Sequence, residues 1–331
     1  MRRGDNPPRD LRGLALRGTG RPEDGPRSML SIARAERLKL VLDPFVERFD
    51  AKLRIQSDPV ALVRRYSDPA DQEIAGLLAS SFAYGQVGVF MPRIERVLEG
   101  MGPSPRRWVE GFEPERERAA LEWFSYRFHR AADLGALLAG MRTIVEEAGS
   151  LGAWVARSWE ATGSLRHALG AFTERIRSSG LERARAVFGE PAAFDHLLAD
   201  PLRGSASKRL LLFLRWMVRK DEVDLGTWEG LLPRSALVVP LDTHLHRIAR
   251  LLGLTSRRDA SWRTAEEITA SLSRLDPEDP VRYDFVLCHL GMSGLCPVRR
   301  DRDRCLSCTL RAECRAGRAL RSADGRDASR R

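Results

Sequence analysis

Apolar residues return at every third or fourth position through segment after segment of the chain, the period of helices that bury one face. RLKLVLDPFVERFDAKL (37–53) opens this patterned body. In DPADQEIAGLLASSFAYG (68–85), Ile74, Leu77, Leu78 and Ser81 share a face behind an acidic, proline-bearing start suited to a helix N-terminus. VGVFMPRIERVLEGMG continues in the same mode, and 131–148 and 164–180 are amphipathic. KRLLLFLRWMVRK (208–220) is apolar nearly all round and reads as a buried central helix. THLHRIARLLGL (243–254) sets Leu245, Ile248, Ala249 and Leu252 on one stripe, and TAEEITASLSRL and PVRYDFVLCHLG complete the series. No run alternates like a strand, no Asn-Gly punctuates a hairpin and no internal repeat occurs, so the expected fold class is all-α.

Length and composition narrow the class further. A chain of 331 residues, 43% apolar and 30% charged, can bury a sizeable core in one large domain or two lobes. Lys and Arg number 55 against 45 Asp and Glu, a net charge of +10. That surplus suits a polyanionic partner, although a genome rich in arginine codons would produce it too. The first 28 residues, rich in Gly, Pro and Arg, read as a basic tail without a signal peptide's apolar stretch. A second tail is expected over 318–331, leaving a folded body over 29–317. The longest aliphatic block, LLLFL at 210–214, is far too short to span a bilayer. A cytoplasmic protein without a membrane partner is expected, and there clustered cysteines point to metal or catalysis more often than to disulfides.

The cysteines are clustered. CPVRRDRDRCLSCTLRAEC (296–314) holds Cys296, Cys305, Cys308 and Cys314 in the spacing C-x8-C-x2-C-x5-C. Zinc and iron–sulfur centres both accept four thiolates. One short step with unequal flanking steps fits a [4Fe–4S] cubane, whose irons sit at separate corners, better than the paired knuckles usual for zinc, which stays the alternative. A redox-sensing role is a further alternative. Arg299, Arg300, Arg302, Arg304, Arg311 and Arg315 would offset the cluster's negative charge and could also face a phosphate backbone. Cys288, inside YDFVLCHL, reads as a small buried hydrophobe.

A terminal loop ending C-x2-C-x5-C after an all-helical body resembles the iron–sulfur loop of endonuclease III and the adenine-mismatch glycosylases, which belong to the helix-hairpin-helix/Gly-Pro-Asp superfamily. The first spacer here is longer than is usual there. DPADQEIAGLLASSFAYGQV, GSASKRLLLFLRWMVRK and PLDTHLHRIARLLGL together look like an uncharacterised bacterial family of that superfamily. The resemblance implies a two-lobed fold, with a helical bundle over about 68–240 and a second lobe made from N- and C-terminal helices. It also implies a [4Fe–4S] cluster on the four cysteines, a double-stranded DNA partner, and excision of a damaged or modified base; the sequence leaves the oligomeric state open, with a monomer as the expectation.

Within that resemblance, PLDTHLHRIARLLG looks like the segment that carries the superfamily's catalytic aspartate, with Asp242 in its place and Thr243, His244 and Arg247 in register. A carboxylate there would stabilise the positive charge that builds on deoxyribose as the N-glycosidic bond breaks. An Asp before a helix is also an ordinary N-cap. A metal reading of D-T-H-L-H, through Asp242, His244 and His246, meets the difficulty that residues two apart on a helix face different sides. The superfamily's hairpin would fall at DPLRGSASKRLLLF (200–213), with Gly204, Ala206 and Arg209 against DNA and Lys208 as the amine that attacks the sugar in glycosylase/lyases. The L-P-G of that hairpin is missing here, and DEVDLGTWEGLLPRSA lengthens the interval to Asp242. Those departures favour the alternative of a DNA-binding or structure-sensing protein without excision. Phe82, Tyr84 and Gln86, around Gly85, are the candidates to fill the gap left by a flipped base, the alternative being Phe82 in the core with a plain turn after it. Trp108, Trp123, Trp216, Trp228 and Trp262 could stack on a base, but tryptophans in helical proteins more often belong to the core.

Overall fold

The computed structural model describes residues 30–299 and 301–320, and this span is built almost wholly of α-helices. Helix α1 (Ile32–Glu47) starts at Ser31, whose side chain accepts from the Arg34 N–H. It begins earlier than the apolar pattern suggests and stops before the expected end, because Pro44 withholds an N–H from its last turns. The remainder forms a separate turn of helix, Lys52–Ile55. Helix α2 (Pro69–Ser81) has Asp68 as N-cap, 2.8 Å from the Ala70 N–H, and a proline at its first position, where a missing N–H costs nothing. Its expected face is buried, and so are Asp71, Glu73 and Ser80, so α2 runs through the interior. Helix α3 (Val87–Gly100) follows after a tight turn.

Strands β1 (Ser125–Tyr126) and β2 (His129–Arg130) pair antiparallel, with Tyr126 opposite His129. This small hairpin lies outside the all-helical expectation, and its tip is Arg127-Phe128 in place of the usual Asn-Gly. Helices α4 (Ala131–Ala148), α5 (Leu151–Thr162) and α6 (Leu165–Phe188) form the middle of the chain. Helices α4 and α6 lie backbone to backbone. A Cβ on Gly140 would run into the Ile176 carbonyl, and one on Gly180 into that of Ala136.

Helix α7 (Lys208–Val218) is buried from Leu210 to its end, Arg215 included, and packs against α2 where Phe213 and Met217 cover Gly76. Helices α8 (Thr243–Leu252), α9 (Trp262–Leu272) and α10 (Asp284–Met292) follow, and α8 buries the predicted stripe of Leu245, Ile248, Ala249 and Leu252. The chain's first and last parts meet. Arg34 on α1 donates to the Leu252 carbonyl, Tyr283 donates to Asp43 at 2.7 Å, and Arg37 pairs with Glu313 at 3.4 Å. Trp216, Trp228 and Trp262 are fully buried, while Trp108 and Trp123 cover the core's edge. Residues 315–320 are helical, so the folded part runs past 317, where a tail was expected to follow. The expected tail over 1–28, and the rest of the one after 317, lie outside the described residues. No helix among the described residues is long and apolar enough to cross a membrane.

Candidate functional site

Asp242 sits at the N-cap of α8 with both carboxylate oxygens engaged. Oδ1 accepts from the Leu245 N–H at 2.7 Å, and Oδ2 accepts from the Cys288 thiol on α10 at 3.2 Å. Helix α10 can come so close because Gly291 leaves room for His244, where a Cβ would press on its ring. His246 turns the other way and meets the Arg257 carbonyl at 3.1 Å, so the two histidines diverge and do not share an ion with Asp242. The capping role is therefore present, and the same geometry fixes where the carboxylate points.

Beneath Asp242 lies a buried charge network. Arg215 on α7 pairs with Asp224 at 3.1 Å and with Asp284 on α10. Burial pushes the Asp284 carboxyl up to about 6, opposed by Arg215 and raised further by Asp242. Burial pushes the Cys288 thiol well above its ordinary range, with Asp242 and Asp284 adding to the rise. The Lys208 ammonium, at the start of α7, acts in the opposite sense on both Asp284 and Cys288. Lys208 and Asp242 thus reach one neighbourhood from two helix starts. Sequence reasoning missed Asp284, Arg215 and the contact of Cys288; the signals were an arginine inside LLLFLRWMV and an aspartate inside YDFVL.

The Asp284 shift has a measurable consequence. A folded-state value of about 6 against an ordinary 3.8 means the fold favours the protonated carboxyl. Its contribution to stability is complete below the ordinary value and is lost as pH rises through the folded one. Carbon-13 NMR of the side-chain carboxyls should show one aspartate titrating near 6 that vanishes in Asp284→Asn. Titration of every aspartate at or below the ordinary value would overturn the assignment.

The segment ahead of α7 is a compact turn. Asp200 accepts from the Leu202 N–H at 2.8 Å, a 3-10 turn spans Pro201–Arg203, and Gly204 takes the left-handed conformation (φ 85°). Ser207 also has positive φ (44°) and donates to the Ala199 carbonyl at 2.9 Å, and it leaves the first N–H groups of α7 without a side-chain cap. The preceding helix is only Phe194–Leu197. Gly204 is exposed. Ala206 is buried beneath it, so its side chain does not face DNA.

Arg209 is likewise not a free phosphate contact. It donates to the carbonyls of Ser81, at 2.9 Å, and of His196, and covers the Tyr84 ring, 4.9 Å from its centroid. Burial pushes its pKa down to about 10. It braces α7 against the turn after α2. In that turn Phe82 is fully buried against Phe124 and His129, so it takes the core place and not that of a wedge. Tyr84 is half-buried among Tyr126, His129 and His196, and Gln86 is exposed at the start of α3. Gly85 (φ 80°) is required, since a Cβ would collide with the Tyr126 hydroxyl.

The cysteine segment is tied to the helix that Asp242 caps. Arg247 on α8 donates to Cys296 Sγ at 3.1 Å, to the Pro297 carbonyl at 3.1 Å and to the Cys296 carbonyl at 2.7 Å. Asp301 caps the short helix α11 (Arg302–Ser307), and a 3-10 turn, Thr309–Ala312, then buries Leu310. All four thiols are free and half-buried. Burial raises the Cys308 thiol, the Leu310 N–H lowers it, and Cys314, Cys296 and Cys305 each add to the rise, so the four share a neighbourhood. Among the described residues, however, no three Cys, His, Asp or Glu side chains form a set that could hold one metal ion. Arg299 is exposed, and Arg300 lies outside the described residues.

These features define a helical protein in which one helix presents a capped aspartate at its start and holds a four-thiol segment further along. The chain belongs to the family described as protein of unknown function DUF2400, which matches residues 58–293. The match takes in Tyr84, Lys208 and Asp242 and ends just before Cys296. No curated protein and no solved structure matches the chain.

Proposed function

We propose that this chain is a DNA glycosylase-like protein of the cytoplasm that removes a damaged or modified base from double-stranded DNA by cleaving the N-glycosidic bond. One observation carries the reading: the Asp242 carboxylate, 3.2 Å from the half-buried Cys288 thiol, and the Lys208 amine both bear on the same pair, Asp284 and Cys288. Asp242 would stabilise the sugar cation as the bond breaks. Lys208 would attack the anomeric carbon as the base leaves, and opening of the sugar ring would then give the Schiff base through which lyase activity follows. The engagement of both Asp242 oxygens within the protein favours a second reading, a DNA-binding or structure-sensing module in which Asp242 is a cap only. Duplexes that each carry one damaged or modified base separate the two. Cleavage of at least one after alkali supports the enzyme, and borohydride trapping that is lost in Lys208→Gln supports the lyase. Binding whose log K falls by about 0.9 per neutralised phosphate with log salt, with nothing excised, leaves the binding module.

The same reading places a [4Fe–4S] cluster on Cys296, Cys305, Cys308 and Cys314. The fit rests on four free thiols in one neighbourhood and on the Arg247 N–H that donates to Cys296 Sγ as a partner for a thiolate. Zinc would require four sulfurs at about 2.3 Å from one centre. Such a cluster would brace the segment against α8 and is assigned no step in the reaction. Anaerobically purified protein should be brown, Cys308→Ser should bleach it, and Cys288→Ser should leave the colour unchanged. Stoichiometric zinc without iron would overturn the assignment.

A further inference from the structure

Phe128 is 55% exposed and is the aromatic residue among the large apolar side chains left in solvent by the described residues. It stands at the tip of the β1–β2 hairpin beside Arg127, which holds a left-handed backbone conformation (φ 52°) that only a well-anchored non-glycine residue keeps. The anchors are in view. The Tyr126 hydroxyl donates to the Tyr84 carbonyl, Arg93 donates to the Ser125 carbonyl at 3.0 Å, and Arg130 donates to the Arg127 carbonyl at 2.7 Å. His129, one residue on, is fully buried. An exposed ring is thus carried on a rigid foot.

The ring also lies beside one guanidinium and one imidazole. The Arg127 guanidinium lies 5.8 Å from the Phe128 centroid and 5.6 Å from that of Tyr84, and the Phe128 ring is 5.4 Å from His196. Arg209 covers the other side of the Tyr84 cluster and is the neighbour in sequence of Lys208. The ring cluster therefore runs from Tyr84, backed by the largely buried Arg209, through Arg127 to Phe128. The carboxylates nearby are already engaged. Asp133 accepts from the Arg130 and Ala193 N–H groups, and Asp195 pairs with Arg203 at 3.1 Å. Burial and Arg209 push the His196 imidazole down to about 4, so it adds a neutral ring and no charge at neutral pH.

We propose that the Arg127-Phe128 tip is a stacking platform for an unpaired base of DNA, with Phe128 against the base and Arg127 toward the adjoining phosphate. A flat π-face beside the exposed Arg127 guanidinium, which pairs with no carboxylate among the described residues, matches the two halves of a nucleotide, its base and its phosphate. A fully paired duplex offers phosphates but no free base face, so the platform distinguishes the two. The inference rests on DNA as the partner and is independent of base removal.

The test is binding of the full chain, read by fluorescence anisotropy, to a paired duplex and to the same duplex with one unpaired 2-aminopurine. Wild type should prefer the unpaired base. Phe128→Ala should weaken that complex about ten-fold, as loss of one base-stacking ring does, and leave the paired duplex unaffected. Phe128→Trp should keep the affinity and quench the 2-aminopurine fluorescence. Both variants change an exposed side chain, and circular dichroism checks that they are folded. Equal binding of both DNAs by wild type, or a Phe128→Ala variant indistinguishable from wild type on both, overturns the platform while DNA binding stands. Absence of binding to either DNA overturns the platform together with the DNA reading.

Discussion

Asp242→Asn is expected to lower base excision by about 10²–10³, the cost of losing one well-placed electrostatic stabiliser, with DNA affinity and melting temperature close to wild type. The geometry makes this substitution informative. Asparagine keeps an oxygen for the Leu245 N–H, 2.7 Å away, so α8 stays capped, while the charge is lost together with the acceptor for the Cys288 thiol. Asp242→Ala removes the cap as well and should cost about 1 kcal/mol, so any further loss of activity in protein that stays folded reports on catalysis. Cys288 gives a second handle, since its thiol donates to the other oxygen at 3.2 Å. An Asp242→Asn protein that excises its best substrate at the wild-type rate would remove the catalytic role and leave a helix cap in a binding protein.

The helices were legible because most bury one face, and burial is what the period of apolar residues records. The segment 131–148 coincides with α4, and the stripe on α8 is buried as read. The β1–β2 hairpin was not legible, because what stabilises it is tertiary: Tyr126 reaching Tyr84 and Arg93 reaching Ser125. Local composition carries no trace of either contact. The turn after α2 shows the same limit. Phe82 and Tyr84 are equivalent in sequence, but one ring enters the core and the other meets two guanidinium groups. Arg209 follows Lys208 and reads as a free cation, yet it is consumed by two carbonyls. Cys288 read as a small buried hydrophobe, and its bond to Asp242 depends on Gly291 letting two helices approach. The cysteine spacing was legible, whereas its link to Asp242 through Arg247 required the fold.

Replacing Arg219 with Met is expected to destabilise the protein by roughly 3–5 kcal/mol, the usual cost of removing one partner from a buried ion pair. Arg219 just follows α7, and its guanidinium is almost fully buried. It grips Asp279 with two nitrogens at 2.8 and 2.9 Å, reaches Asp221 at 2.8 Å, and shares Asp224 with Arg215. Asp224 and Asp279 are buried, so removing the cation leaves Asp224 with Arg215 alone and Asp279 with only the exposed Arg234 at 3.9 Å, and the under-compensated carboxylates must stay charged at a cost or take up protons. Methionine keeps the length of the aliphatic stem, so the loss is not one of packing. Arg219→Lys should recover little, because an ammonium cannot make the two-pronged contact with Asp279. Adding Asp279→Leu to Arg219→Met should recover part of the loss, since the second change removes one stranded charge. Urea denaturation of the three variants provides the measurement, and a loss below about 1 kcal/mol in Arg219→Met would place the network among surface pairs of little worth. The same network holds Asp284 through Arg215, beneath Cys288 and Asp242. Arg219→Met protein that remains folded should therefore also shift the titration of Asp284, which ties the stability of α7 to the electrostatics of the candidate site.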